Sequence, residues 1–242
     1  MIRERALPDS ARDKVLGAAS GQLLVGGQAL AWWAAHYRLD PGTDFPDGVT
    51  FDFDFLGSAA AAKALHTRIG GKLFVANHDE MPAQCAKIYI ADFEGQGPLE
   101  VDFMAMLIGG DEEGMRKRAV QLKLTPSDLL VLHPYDVLRT RIANLHTLSS
   151  RARNPRYVAQ ARLAIRVLHA YLKQALADGE QRLVLKIVEA LGELACEPAG
   201  LALWKKQGLD VLDCVPHAEI AIRSFQERRW LQLRAHIQAR RG

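Results

Sequence analysis

The chain has 242 residues, of which 49% are hydrophobic and 24% charged, with a net charge of +3; this is the make-up of an ordinary globular protein with ample material for a core. No apolar run approaches the roughly 20 residues of a membrane span, and MIRERALPDSARDK lacks the apolar stretch of a secretory signal, so no membrane partner and a cytoplasmic setting are expected. Cys85, Cys196 and Cys214 lie far apart with no metal-ligand spacing, which fits a reducing compartment and excludes a disulfide framework.

The first half alternates short elements. A helix is expected over Ser10 to Ala19, then the apolar strand QLLV, which ends at Gly26-Gly27. A second helix, rich in Ala and Trp, runs from about Gln28 to Tyr37. The turn-rich loop LDPGTDFPDG leads into TFDFDF, and the Ala-rich helix SAAAAKALHTRI follows with Ser58 as its N-cap. KLFVAN, AKIYIADF and LEVDFMAML read as strands; AVQLKL and LLVLHP read as a hairpin turning at TPSD.

From Tyr135 the pattern changes. DVLRTRIANLHTLSS, YVAQARLAIRVLHAYLKQAL, QRLVLKIVEALGELA and EIAIRSFQERRWLQLRAHIQ carry apolar residues at three- and four-residue spacing, punctuated by Asn154-Pro155, Asp178-Gly179, Glu197-Pro198 and Val215-Pro216. The expected fold is α+β: a mixed sheet flanked by helices in residues 1–135, then an all-helical lobe in residues 136–242. Charge reverses at the same place. Met1 to Leu138 holds 13 basic and 19 acidic residues, and Arg139 to Gly242 holds 18 basic and 9 acidic, a contrast suited to a polyanion between two lobes.

TFDFDF carries the chemistry. Strand side chains alternate between faces, so Phe51, Phe53 and Phe55 share one face while Asp52 and Asp54 share the other. Residues i and i+2 stand about 6.5–7 Å apart along a strand, close enough for two carboxylates to converge on one ion. Mg²⁺ takes hard oxygen ligands and is often held by one or two carboxylates plus substrate phosphates. In LEVDFMAML, Glu100 and Asp102 likewise share a face. If that strand neighbours FDFDF, a third acid joins the pair, Asp102 by preference and Glu100 as the fallback. Three such acids can hold two ions roughly 3.5–4 Å apart for in-line phosphoryl displacement. Glycines at Gly26 and Gly27, between a strand and a helix, let backbone N–H groups approach a phosphate.

VGGQALAWWA, then FDFDF, then LEVDF together resemble the DNA polymerase β-like nucleotidyltransferase superfamily over roughly residues 10 to 135. The GGxAL start, HPYDVLRTRIANL and the helical tail look more like its stand-alone bacterial abortive-infection and toxin–antitoxin branch. The resemblance implies that Asp52, Asp54 and Asp102 hold two Mg²⁺ ions, with Mn²⁺ as a substitute, and that Asp102 serves as general base. It also implies that Gly26, Gly27 and Gln28 meet the nucleoside triphosphate, joined by Arg141, the nearest equivalent of a lysine that toxin relatives carry in the helix after the sheet. The implied activity moves a nucleoside monophosphate to an acceptor hydroxyl, on RNA or tRNA for a toxin-like enzyme, with an antitoxin protein as a further partner. Two alternatives stand beside it: an aminoglycoside-type adenylyltransferase, and a catalytically silent binding or regulatory protein. Gly27 to Asp52 is a 25-residue step, lengthened by the loop at Leu39 to Gly48, and Gln28 stands where toxin relatives carry a small hydroxyl residue.

Other residues read as structural. His133-Pro134 marks a strand-to-helix boundary, and His78-Asp79-Glu80 a polar turn. One of Trp32 and Trp33 belongs to the core, leaving the other available to a base. Arg162 and Arg166 share a helix face, and with Arg151, Arg153 and Arg156 they are candidate phosphate contacts. Arg228, Arg229, Arg234, Arg240 and Arg241 give a basic C-terminal helix suited to RNA.

Overall fold

The computed structural model describes residues 9–45, 49–50, 52–77, 83–93, 95, 97–124, 127–152 and 154–242. The fold is α+β. Two compact units divide the chain: Met1–Trp33 with Pro41–Val137, and Ala34–Asp40 with Leu138–Gly242. No helix among the described residues is long and apolar enough to cross a membrane.

In the first unit a mixed seven-stranded sheet is built from β1 (Leu23–Val25), β2 (Phe53–Leu56), β3 (Lys72–Val75), β4 (Gln84–Ile90), β5 (Leu99–Met104), β6 (Val120–Leu124) and β7 (Ser127–Val131), in the order β3-β4-β5-β2-β1-β7-β6. Its helices are α1 (Asp9–Ala18), α3 (Ala59–Ile69) and α4 (Glu112–Arg118), with α2 (Gly26–His36) as far as Trp33 and the start of α5 (Pro134–Thr147). β2 runs antiparallel to β1 and parallel to β5, and β1 runs parallel to β7.

Alternation fixes the sheet's two faces. Phe53, Phe55, Ile88, Val101 and Phe103 are fully buried on one of them. Phe53 stacks on Phe55 at 6.4 Å between ring centroids, and Phe55 lies 5.6 Å from Phe103. Each such ring contributes on the order of 1.5–3 kcal/mol through burial. Ser58 caps α3 by accepting the Ala61 N–H at 3.3 Å. The helix packs against β3 and β4, and α1 packs against α3 and β7.

Three local readings need correction. Asp52 lies in a bend one residue before β2, not within the strand. Gly26 and Gly27 open α2 itself, so no loop separates β1 from the helix. α4 was not anticipated; it is a short polar helix whose start is signalled only by Asp111, which accepts the Gly114 N–H at 2.8 Å. Phe51, His78, Asp79, Glu80 and the Thr125-Pro126 hairpin tip fall outside the described residues.

The second unit contains the rest of α5 with α6 (Ser149–Ala152), α7 (Pro155–Ala177), α8 (Gln181–Cys196), α9 (Pro198–Gln207) and α10 (Trp230–Arg241). Asn154 caps α7 and Pro155 opens it; both are strong start signals. α9 was read only as punctuation. Yet it begins at Pro198 and ends at Gly208 in the left-handed region, the asymmetry expected of a short helix. EIAIRSFQERRW is not one helix. Residues 211–214 and 217–219 form 3₁₀ turns and 225–229 a π-helical turn before α10. Ile220 and Phe225 are buried individually, and Gln226 donates Nε2 to the Ile220 carbonyl at 2.8 Å; after Ile220, helical backbone bonds begin only at Ile222, whose carbonyl accepts the Phe225 and Gln226 N–H groups.

Candidate metal centre

Residues buried on one face leave their neighbours no choice but the other. Across the parallel β2–β5 pair, Phe53 lies opposite Val101, Asp54 opposite Asp102 and Phe55 opposite Phe103. The apolar partners are fully buried, so both acids project from the opposite side. Asp52 joins them. Asp52, Asp54 and Asp102 each offer an oxygen within 4.8 Å of the others, and each is only partly exposed. Three hard anionic oxygens at that separation fit a divalent cation such as Mg²⁺ or Mn²⁺.

Neighbouring donors orient the acids. Thr50 donates Oγ1 to Oδ1 of Asp52 at 2.7 Å, and Gln84 donates Nε2 to Oδ1 of Asp102 at 2.6 Å. A β-bulge at Gln84/Ala86 brings Gln84 onto the acidic face, a familiar use of bulges beside functional sites. Lys87 places Nζ 2.7 Å from Oε2 of Glu100 and 3.5 Å from Oδ1 of Asp102. Glu100 is therefore held by a lysine, while Asp102 belongs to the triad.

Burial raises the Asp102 carboxyl above the usual range, Lys87 opposes that rise, and the like charges of Asp52 and Glu100 add to it. Burial pulls the Lys87 ammonium down, but Glu100 and Asp102 outweigh it and leave its pKa raised.

The diglycine lies against the acids. Gly26 has φ +63°, and a β-carbon there would overlap Oδ2 of Asp54; one on Gly27 would overlap the Thr50 side chain. Both positions thus need glycine for close approach. In the first turn of α2, backbone N–H groups lack intrahelical partners, which suits an anion. Gln28, next along, is buried at 6% exposure. Arg141 belongs to the helical unit, is 6% exposed, and donates Nη1 to Oε1 of Gln160 at 3.0 Å.

Trp33 is core and donates Nε1 to the Leu132 carbonyl at 2.8 Å, while half-buried Trp32 meets it edge-on at 4.8 Å. His133 lies between β7 and α5. Arg162 and Arg166 are exposed on α7, Arg151 sits 5.0 Å over the Tyr157 ring, and Arg153 lies outside the described residues. Three C-terminal arginines have internal work: Arg229 pairs with Glu189, and Arg234 and Arg241 with Asp210.

Thr50 was legible in hindsight, since in a TFDFDF strand it would share the face of Asp52 and Asp54. Gln84 and Lys87 were not, because nothing in the sequence fixes the strand order or the bulge. No protein-family model, no curated protein and no solved structure matches this chain.

Proposed function

We propose that the protein is a metal-dependent nucleotidyltransferase of the DNA polymerase β-like kind, transferring a nucleoside monophosphate from a nucleoside triphosphate to an acceptor hydroxyl, with RNA as the favoured acceptor. One observation carries this reading: Asp54 stands opposite Asp102 on adjacent parallel strands, with Asp52 within 4.8 Å and a diglycine helix start against Asp54. A lone acidic cluster is common; one built onto a glycine-opened helix is suited to a polyphosphate and its counter-ions.

Asp52, Asp54 and Asp102 would hold Mg²⁺ or Mn²⁺, which supplies charge neutralisation for the phosphates and for the leaving group. Gly26 and Gly27 admit the triphosphate to the start of α2. The acceptor oxygen forms a bond to the α-phosphorus, the α–β phosphoanhydride bond breaks, and pyrophosphate departs. The hydroxyl proton passes to the Asp102 carboxylate. Thr50 and Gln84 keep the two outer carboxylates turned inward.

The test is incubation of the chain with total RNA, Mg²⁺ and each labelled triphosphate. Label incorporation by the wild type, with none by the Asp52→Ala, Asp54→Ala double variant, supports the reading. Equal incorporation by both sinks it.

A further inference from the structure

The acidic face continues beyond the triad. Cross-strand register places Phe74 opposite Lys87, Lys87 opposite Asp102, and Asp102 opposite Asp54, so four side chains form one row across β3, β4, β5 and β2. The next row on the same face runs Lys72, Tyr89, Glu100. Strands are about 4.8 Å apart, which puts Phe74 on the order of 10 Å from Asp102 with Lys87 between them.

β3 is an edge strand, and its aromatic ring is unusually open: Phe74 is 55% exposed. Lys72 is exposed beside it, and Tyr89 is partly exposed. A cavity of about 330 Å³ lies here, lined by Phe74, Val75, Ala76, Gln84, Ala86 and Lys87. Two of its walls, Gln84 and Lys87, are the residues that contact Asp102. Aromatic and cationic side chains therefore alternate on this patch, Phe74 against Lys87 and Tyr89 against Lys72, and it ends at the metal-binding acids.

We propose that this β3–β4 face is the acceptor track, binding the single-stranded end of a nucleic acid with a base stacked on Phe74 and a backbone phosphate at Lys72, so that the terminal hydroxyl reaches Asp102. Stacking platforms paired with basic residues are the general means of holding single strands, because every base has a π-face. A peptide added to the β3 edge would use main-chain bonds and gain little from a lysine–aromatic checkerboard. The placement rests on the nucleotidyltransferase reading. It also locates the acceptor on the first unit, independently of the basic helices. Because Met1 to Leu138 carries six more acidic than basic residues, binding depends on divalent cations that neutralise the triad.

The experiment is fluorescence anisotropy of a short labelled single-stranded RNA with the full chain, with and without Mg²⁺ and across a salt series, alongside calorimetric Mn²⁺ titration. Phe74→Ala should weaken RNA binding roughly tenfold, and Phe74→Trp should restore it. Lys72→Gln should lower the salt slope by about 0.7. Neither variant should change Mn²⁺ affinity. Wild-type affinity in both variants, or no RNA binding by a wild type that still binds Mn²⁺, overturns the track while leaving the metal centre intact. A wild type that binds RNA through Phe74 but takes up no Mn²⁺ keeps a single-strand surface at β3–β4, but ends the transferase reading and with it the surface's role as acceptor track. If the chain instead forms a dimer that Phe74→Ala dissolves and RNA leaves unchanged, this edge joins two copies and the track is wrong.

Discussion

Gly26 lies so close to Asp54 that a single added methyl would overlap its carboxylate oxygen Oδ2, at a residue whose φ is +63°. The glycine and the acid thus specify one another. Gly26→Ala adds a left-handed strain of about 1–2 kcal/mol and forces Asp54 out of the triad. Expected is a modest fall in the urea midpoint and at least a tenfold loss of Mn²⁺ affinity. Gly42→Ala is the control, since Gly42 has φ +77° but nothing within 4 Å of its would-be β-carbon. It should cost similar stability and leave Mn²⁺ binding alone.

Asp102 is maintained against stability. Burial raises its carboxyl; Lys87 opposes that rise, and the like charges of Asp52 and Glu100 add to it. For an acid with a raised folded pKa, ionisation is harder in the folded state, so the group lowers stability once pH rises past its unfolded value. Asp102→Asn should therefore raise the melting temperature of metal-free protein at pH 7. Added Mn²⁺ should stabilise the wild type and not the variant. Thermal denaturation of both, with and without Mn²⁺, checks this, and a variant less stable than wild type without metal would contradict it.

How much was readable in advance follows from which interactions are local. The TFDFDF and LEVDF alternations fix face and burial by themselves, because period two needs no partner strand, and Asp54 and Asp102 follow from them. Ser58, Asn154 and Pro155 act within one turn and were equally plain. Adjacency of β2 and β5 was conditional, since long-range pairing leaves no mark in either strand. Gln84 reached the site through a bulge, and Arg241 turned inward through a partner 31 positions away in sequence. Residues 217–229 looked helical because Ile222 and Phe225 stand three apart, although Ile220 and Phe225 are buried from a non-helical and a π-helical turn.

His133 gives the first unit a defined acid sensitivity. It is 6% exposed and accepts the Tyr135 N–H on Nδ1 at 3.1 Å. Burial lowers its pKa from 6.5 to about 4; Asp136 opposes the drop, and Arg118 adds to it. Above pH 6.5 both folded and unfolded chains hold it neutral, and its contribution is complete. As pH falls from 6.5 toward 4, only the unfolded chain takes up the proton, so on the order of 3 kcal/mol is lost. Urea unfolding across that range should show the fall, and His133→Asn, which keeps an acceptor for Tyr135, should flatten it.

In the helical unit Asp210 anchors the end of the chain. It is 5% exposed and receives two bonds of 2.7 Å from Arg241, whose guanidinium lies 4.3 Å over the Trp204 ring. Burial alone would raise the Asp210 carboxyl, but Arg241 and the Leu212 N–H hold it below the usual range. Asp210→Ala leaves a buried guanidinium uncompensated and should cost about 3–5 kcal/mol in urea unfolding. The double variant with Arg241→Ala should cost much less than the sum of the two singles.

The central claim is that three carboxylates form one cation site, and calorimetric titration of Mn²⁺ into the full chain tests it most directly. The account predicts saturable binding by the wild type and loss of that binding in Asp54→Asn and in Asp102→Asn, each variant remaining folded by circular dichroism. A wild type that takes up no Mn²⁺, or folded variants that bind it as tightly as wild type, would contradict it.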